Sequence, residues 1–264
     1  MTKEINIIGS GYMGSQISAL YYCLGYKVNI FYNQNKNEKN LKKNIILLKR
    51  KFPIHCDGKI SFHEKINIKK IPTIECVSEE YKKKVELFSI IFDQYDTNIF
   101  SNTSSIPISN INNKISILHF MNPIFLKIVE VCKNNVDNAG NKIISDLVEK
   151  NFLVLDLPHG NHGAVNKIVF SEISNFFELI EKENFDKNAL LEVMKKLKGY
   201  DILNLIDIIG SDISLNIIKN FINNKILKYE PYFFKDLINR EIYGKKNNTS
   251  VVSFFKSDEY PRKK

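Results

Sequence analysis

An apolar strand that runs directly into three spaced glycines constrains this chain more than any other feature. The run is Glu4-Ile-Asn-Ile-Ile-Gly9-Ser10-Gly11-Tyr12-Met13-Gly14, followed by the helix-compatible Ser-Gln-Ile-Ser-Ala. The glycines have separate tasks: Gly9 permits the tight turn, Gly11 lets backbone approach a pyrophosphate, and Gly14 lets the helix pack on its strand while its N-terminus faces the phosphates. Ser10, Tyr12 and Met13 complete the loop. Spaced glycines alone are weak, since turn glycines also fall into this pattern. Here a second strand, Lys27-Val-Asn-Ile-Phe-Tyr32, arrives after the helix as a βαβ unit requires, which selects a dinucleotide site over coincidence.

With 264 residues, 44% of them hydrophobic and 25% charged, the chain has material for a large core and two domains. The longest apolar runs, such as Ile202 to Gly210, are too short to span a bilayer, and the N-terminus reads as a strand rather than a signal sequence. A cytoplasmic protein without membrane contact is expected. Cys23, Cys56, Cys76 and Cys132 show neither CxxC nor metal-ligand spacing, so no disulfide framework and no metal site is predicted. The net charge of +9 is concentrated in Lys36, Lys39, Lys42, Lys43, Lys49, Arg50 and Lys51. That segment carries Leu41, Ile45, Leu48 and Phe52 at helical spacing, so the lysines form the solvated face of an amphipathic helix and do not mark a nucleic-acid binder. For any single lysine a solubilising role is the simpler reading. Collectively, a basic face beside a dinucleotide cleft suits an anionic substrate handle such as a coenzyme A or phosphopantetheine phosphate, with Lys49 and Arg50 the candidates.

Strands alternate with helices to about residue 157, including a helix over Glu79 to Phe92 and strands over Thr97 to Ser101, Ile115 to His119 and, buried, Phe152 to Leu155. Ser61 to Ile74 has no clean period and is left with one or two short strands. This predicts a Rossmann-type doubly wound α/β domain over 1–160. Beyond Pro158-His159-Gly-Asn-His162-Gly163 only helical periodicity remains, near 164–182, 186–198, 202–209, 213–226 and 231–241, which predicts an all-α domain over 161–264. His159 and His162 read as loop residues, because no third ligand stands at metal-site spacing.

Chemistry is expected where Ser101-Asn102-Thr-Ser104-Ser105 ends one strand and His119-Phe-Met-Asn122-Pro123 ends the next. Open α/β sheets bind ligands outside the carboxyl ends of their strands, so a hydroxyl cluster and a histidine would face the nicotinamide end of a cofactor. With these residues in view, the chain resembles the L-3-hydroxyacyl-CoA dehydrogenase family, especially its 3-hydroxybutyryl-CoA members. The likeness runs through the fingerprint, Glu75-Cys-Val-Ser-Glu79-Glu-Tyr-Lys-Lys-Lys84-Val-Glu-Leu-Phe88, the serine and histidine motifs, Lys127-Ile-Val-Glu130-Val131, Asn166 and Gly244-Lys245-Lys246.

The resemblance implies roles that make physical sense. His119 would be the general acid/base, since an imidazole exchanges protons near neutral pH, and Glu130 would orient it and stabilise its cation. Their spacing is eleven residues, one shorter than the family's. Ser104 would bond the reacting oxygen and assist the proton relay, and Asn166 would bind the substrate oxygen from the second domain. Glu79, Lys84, Asn102, Ser104 and Asn122 fall on positions that touch the cofactor, as does Lys246 from the C-terminal segment. Singly, each has a bland reading as a helix cap, a backbone partner or a surface charge. Their joint occurrence in family order favours a site.

Several departures bear on cofactor and substrate. NAD enzymes of this fold usually end the second strand with an acidic residue for the adenosine ribose, whereas this strand ends Tyr32-Asn33-Gln34 with Lys36 and Lys39 close by. The cofactor is therefore NAD(H) or NADP(H), with NADP(H) at least competitive. The domain joint differs from the family's, Lys167 stands where arginine is expected, and a Pro-Gly stretch near Tyr200-Asp201-Ile202-Leu203 is missing, which points to a different acyl group or carrier, coenzyme A and acyl carrier protein both remaining open. One rival enzyme reading makes Gly160-Asn-His-Gly163-Ala-Val-Asn-Lys167 the catalytic segment of an NADP-linked β-hydroxyacid dehydrogenase. Another rival is a binding module whose chemistry has decayed, against which four intact polar positions argue. A homodimer through the helical domain is expected, because Phe170, Phe176, Phe177 and Phe221 exceed what a small domain needs internally.

Overall fold

The computed structural model describes residues 3–52, 58–95, 99–107, 111–134, 136–158 and 163–261. Two compact units divide the chain, Met1–Ala164 and Val165–Lys264. The first is built on an eight-stranded sheet of order β3-β2-β1-β4-β5-β6-β7-β8. Its strands are β1 (Glu4–Ile8), β2 (Lys27–Phe31), β3 (Lys59–His63), β4 (Thr73–Glu75), β5 (Ile99–Ser101), β6 (Ser116–Phe120), β7 (Ile128–Cys132) and β8 (Leu153–Asp156). The first six are parallel and follow the doubly wound Rossmann order, reversing direction between β1 and β4. Helices α1 (Tyr12–Cys23), α2 (Glu38–Lys51), α3 (Tyr81–Gln94) and α4 (Asn138–Val148) complete the unit.

Strand alternation sorts the side chains between two cores. Ile5, Ile7, Ile74, Phe100, Leu118 and Phe120 pack with α1, α2 and α4 on one face, while Ile8, Phe31, Ile99 and Ile117 pack with Phe88 and Ile91 of α3 on the other. Because side chains along a strand alternate, Glu75, Ser101 and His119 take the α3 face. The helix α2 buries Leu41, Leu48 and the adjoining Phe52, leaving its lysines outward.

In this unit the structure adds two elements to those expected and corrects one. β7 was not foreseen; it pairs antiparallel with β6 and interrupts the regular alternation of strand and helix. α4 was likewise unassigned, although Asp137 caps it by accepting from the Gly140 amide at 2.7 Å. β8, expected to be buried, is an edge strand whose Leu153 is 66% exposed, because no further strand follows it in the sheet.

The second unit comprises α5 (Ala164–Glu181), α6 (Lys187–Lys198), α7 (Ile202–Ile209), α8 (Ser211–Asn223), α9 (Tyr232–Asn239) and α10 (Val251–Lys256), the last unforeseen. Asp186, Asp201 and Ser250 cap α6, α7 and α10 through side-chain bonds to backbone amides. The core is aromatic: Phe177 stacks on Phe233 at 4.3 Å between centroids, with Phe176, Phe255 and Tyr260 around them. Phe170, Phe176, Phe177 and Phe221 are all buried within this core, so they are no surplus for a partner. The outward apolar residues are others, Ile168, Val193 and Leu197 among them. Glu181 lies against the same core. Its carboxylate accepts from the Tyr229 hydroxyl, the Tyr232 and Phe233 amides at 2.9 and 3.0 Å, and the Tyr260 hydroxyl at 3.1 Å. Burial raises its pKa above the ordinary value, against the pull of these hydrogen bonds.

Candidate active site

At the carboxyl end of β1, Gly9 adopts φ +106°, and a Cβ there would stand 2.7 Å from the Cys76 carbonyl oxygen. A Cβ on Gly14 would stand 1.9 Å from the Gly9 oxygen. Both glycines are thus demanded by the protein's own atoms. Gly11 differs, since a Cβ there would meet nothing within 4 Å. It caps α1 without a side-chain bond, and no acidic residue stands in the first turn. An open backbone at an uncapped helix N-terminus suits a pyrophosphate, so these residues fit a dinucleotide. The Ser10 hydroxyl donates to the Asn35 carbonyl, and the Asn37 amide group donates to the Ser10 carbonyl at 2.9 Å, fastening this loop to the one after β2. Tyr12 is exposed and Met13 half-buried.

Beside that loop, β2 is followed by Tyr32 and Asn33, the latter exposed. The Tyr32 hydroxyl donates to Glu64 Oε1 at 2.9 Å, and Lys36 Nζ lies 5.7 Å from the Tyr32 ring centroid. Glu64 was not singled out from sequence because it lies in the segment without a clean period.

A buried charge network stands at the ends of β4 and β5. Glu75 is fully buried and receives Lys84 Nζ at 2.7 and 2.8 Å, the Ser101 hydroxyl at 2.5 Å and the Val77 amide at 2.7 Å. Lys84 also lies 3.6 Å from Glu79. Burial acts to lower the Lys84 pKa, but the two carboxylates outweigh it and hold the ammonium above its ordinary value. Burial likewise acts to raise the Glu79 pKa, and the Lys84 charge with hydrogen bonds from residues 103–105 holds it below the ordinary value. One oxygen of Glu79 takes the Thr103 hydroxyl at 2.7 Å, the Ser104 and Ser105 amides at 2.9 Å and the Ser105 hydroxyl at 3.0 Å. This fixes the serine loop. Lys84 ends inside the network with its side chain 2% exposed, so it meets an outside group only through the carboxylates it holds. In the sequence Glu75 is one letter of the run that resembles the family, and nothing local marks its role.

His119 follows one strand over. It stands directly opposite Glu130 in the β6–β7 register, and His119 Nδ1 is 2.8 Å from Glu130 Oε2. Glu130 is fully buried, while His119 keeps a small exposed area. Asn102 accepts from the Phe120 amide at 2.9 Å and thereby links the serine loop to the histidine strand. Gln16 of α1 accepts from the Ile124 amide at 3.1 Å and lies 3.5 Å from Asn122, securing the β6–β7 loop. Within one unit the structure therefore brings together Glu79, Asn102, Ser104, Asn122, His119 and Glu130 at the carboxyl edge.

Lys49 and Arg50 are exposed in the last turn of α2, a position that also favours cations at a helix C-terminus. Asn166 and Lys167 are half-buried at the start of α5 in the second unit. Lys246 of that unit pairs with Asp212. His159 and His162 lie outside the described residues. Among the described residues no group of three metal-ligating side chains occurs, and no helix is long and apolar enough to cross a membrane.

Residues 4–150 match the family model described as 3-hydroxyacyl-CoA dehydrogenase, NAD binding domain. No curated protein sequence matches. Among solved structures, FadB2 of Mycobacterium tuberculosis is 18% identical, with 95% of this chain and 98% of that one covered and a TM-score of 0.80. The (S)-3-hydroxybutyryl-CoA dehydrogenase PaaH1 of Ralstonia eutropha is 20% identical over 95% of this chain and 98% of its own, with a TM-score of 0.76. The 3-hydroxybutyryl-CoA dehydrogenase of Escherichia coli is 20% identical, covering 95% of this chain and 59% of that one, with a TM-score of 0.72. At such identities these likenesses establish the fold.

Proposed function

Because this chain belongs to the 3-hydroxyacyl-CoA dehydrogenase family, we propose that it interconverts a 3-hydroxyacyl thioester and its 3-oxoacyl form, with His119 as general acid/base. The observation that carries this reading is the His119–Glu130 pair, 2.8 Å apart at the carboxyl edge of the sheet. A carboxylate can only accept, so Nδ1 carries the proton and donates to Glu130, which leaves Nε2 with its lone pair. Nε2 takes the proton of the 3-hydroxyl as hydride leaves the same carbon; in the reverse direction it returns that proton to the carbonyl oxygen. When bound, the nicotinamide ring supplies the hydride acceptor or donor. The imidazolium formed in between is stabilised by the buried Glu130 charge. Ser104, on the loop held by Glu79, is assigned to the reacting oxygen, and Asn166 to the substrate oxygen. Gly9, Ser10, Gly11, Tyr12, Met13 and Gly14 are assigned to the pyrophosphate, and Glu79, Asn102, Asn122 and Lys246 to the rest of the cofactor. Lys84 is reassigned to a positioning role behind Glu79.

The thioester carrier is coenzyme A or an acyl carrier protein, met by the basic face of α2 at Lys49 and Arg50. NADPH is accepted at least as well as NADH, a reading supported by the absence of a carboxylate at 32–34 and by Lys36 beside the Tyr32 ring. Homodimerisation through the helical unit is supported by outward Ile168, Val193 and Leu197 rather than by its phenylalanines. Turnover of acetoacetyl-CoA and of the matching carrier-protein thioester, with NADH and NADPH in parallel, tests the reaction, the carrier and the cofactor together. Absence of turnover with every combination would overturn the reading.

A further inference from the structure

The adenosine end of the site lacks its usual carboxylate on β2, yet a carboxylate is brought there from the neighbouring strand. β3 lies parallel to β2 with Phe31 opposite His63, so Tyr32 and Glu64 leave the sheet side by side. Adjacent strands lie about 4.8 Å apart, close enough for Glu64 to serve the position that β2 leaves empty. The Tyr32 hydroxyl donates to Glu64 Oε1 at 2.9 Å and so fixes where that carboxylate is held. A carboxylate has roughly four lone-pair sites, of which this bond uses one. The opposite charge is also present, since Lys36 Nζ stands 5.7 Å from the centroid of the same ring. Tyr32 thus carries an anion at its hydroxyl and a cation beside its ring.

Resting on the reading that the glycine loop binds a nicotinamide dinucleotide, we infer that Glu64, delivered from β3 and held by Tyr32, accepts the adenosine ribose hydroxyls and opposes Lys36 in selecting between NADH and NADPH. A free 2′-hydroxyl donates to the carboxylate, which favours NADH. A 2′-phosphate is repelled by Glu64 and attracted by Lys36. The two residues pull in opposite directions at one ribose, so both cofactors are accepted, and the balance is adjustable by either residue alone.

The test is a fluorescence titration of the 264-residue chain with NADH and with NADPH, read as the ratio of the two dissociation constants. Glu64→Gln weakens NADH about tenfold, the size of one lost charge-assisted hydrogen bond, and leaves NADPH unchanged or tighter. Tyr32→Phe moves the ratio the same way by less, because the carboxylate remains but is no longer held. Glu64→Asp, which keeps the charge and shortens the reach, falls between wild type and Glu64→Gln. Lys36→Gln weakens NADPH selectively. An unchanged ratio in both Glu64 variants, with wild-type protein binding the two cofactors normally, overturns the inference and leaves the dinucleotide reading standing. Failure of the wild-type protein to bind either cofactor overturns both.

Discussion

Glu79 in the first unit is a half-buried carboxylate and Glu181 in the second a buried one, and their environments drive them in opposite directions. Burial acts to raise the pKa of each. Around Glu79 a buried ammonium reverses that effect, and the ionised carboxylate is spent on holding the serine loop. Around Glu181 the donors among the described residues are two backbone amides and the hydroxyls of Tyr229 and Tyr260, and the carboxylate ties α5 to α9 and to Tyr260. Neutral donors satisfy a buried acid without restoring its charge; a cation does both. The first arrangement keeps fixed charge beside a reactive edge, and the second closes an aromatic core.

The sharpest separation of the two regions is in turnover. His119→Gln is expected to reduce the rate by a factor of about a hundred to ten thousand while cofactor binding, measured by fluorescence, stays close to wild type. Glu130→Gln reduces turnover less, because the imidazole keeps its proton-transfer atom while the imidazolium loses its counter-charge. Lys84→Met would break the first region directly. It leaves Glu75 and Glu79 without their cation and should cost about 3–5 kcal/mol in urea unfolding, the range for breaking a buried pair. A loss as small as that of an exposed lysine would show that the network does not depend on Lys84. Glu181→Gln should cost about 1–3 kcal/mol, since some buried donors lose their acceptor, with turnover per folded molecule unchanged.

Acid sharpens the contrast further. Glu181 has a raised folded-state pKa, so the folded form gains its proton first, and its contribution to stability grows as pH falls towards the unfolded value near 4.5. Glu79 has a lowered one, so its contribution is complete above 4.5 and is lost as pH falls through the folded value. Urea unfolding of wild type, Glu79→Gln and Glu181→Gln between neutral and acid pH would show differences of opposite slope; parallel curves would remove the distinction. The smallest effect is expected for Lys167→Met, which should change turnover by less than about threefold. An inactive Lys167→Met protein beside a nearly normal His119→Gln protein would replace the thioester reading with the β-hydroxyacid one.

Much of the fold is written locally. The strand, glycine loop and helix at residues 4–23 follow from period and turn chemistry, and α2 follows from apolar residues at helical spacing. β7 was hidden because Ile128–Cys132 interrupts its apolar run with Glu130, and an antiparallel return breaks the βα rhythm that the rest of the unit obeys. β8 misled because a short apolar run reads alike whether it ends at the middle or the rim of a sheet. In the site, the pairing of Glu130 with His119 was expected through the family resemblance, but the strand register that sets them face to face was not legible in the residues. Glu75 and Glu64 were missed for the same reason: each becomes notable only through a residue on a neighbouring element, Lys84 or Tyr32.

The β6–β7 hairpin also bears on how this chain can change by insertion and deletion. His119 and Glu130 meet because they are partners in the strand register, not because eleven positions separate them. Residues 121–127 between the strands can therefore be lengthened or trimmed without disturbing the pair. A single residue inserted inside β7 is another matter. Placed between Ile128 and Glu130, it would turn every following side chain to the opposite face and set Val129 or the inserted residue against His119. Tolerance of length in the loop and intolerance within the strand are two sides of one pairing, and a scan of one-residue insertions from 121 to 132 should trace the boundary between them at Ile128.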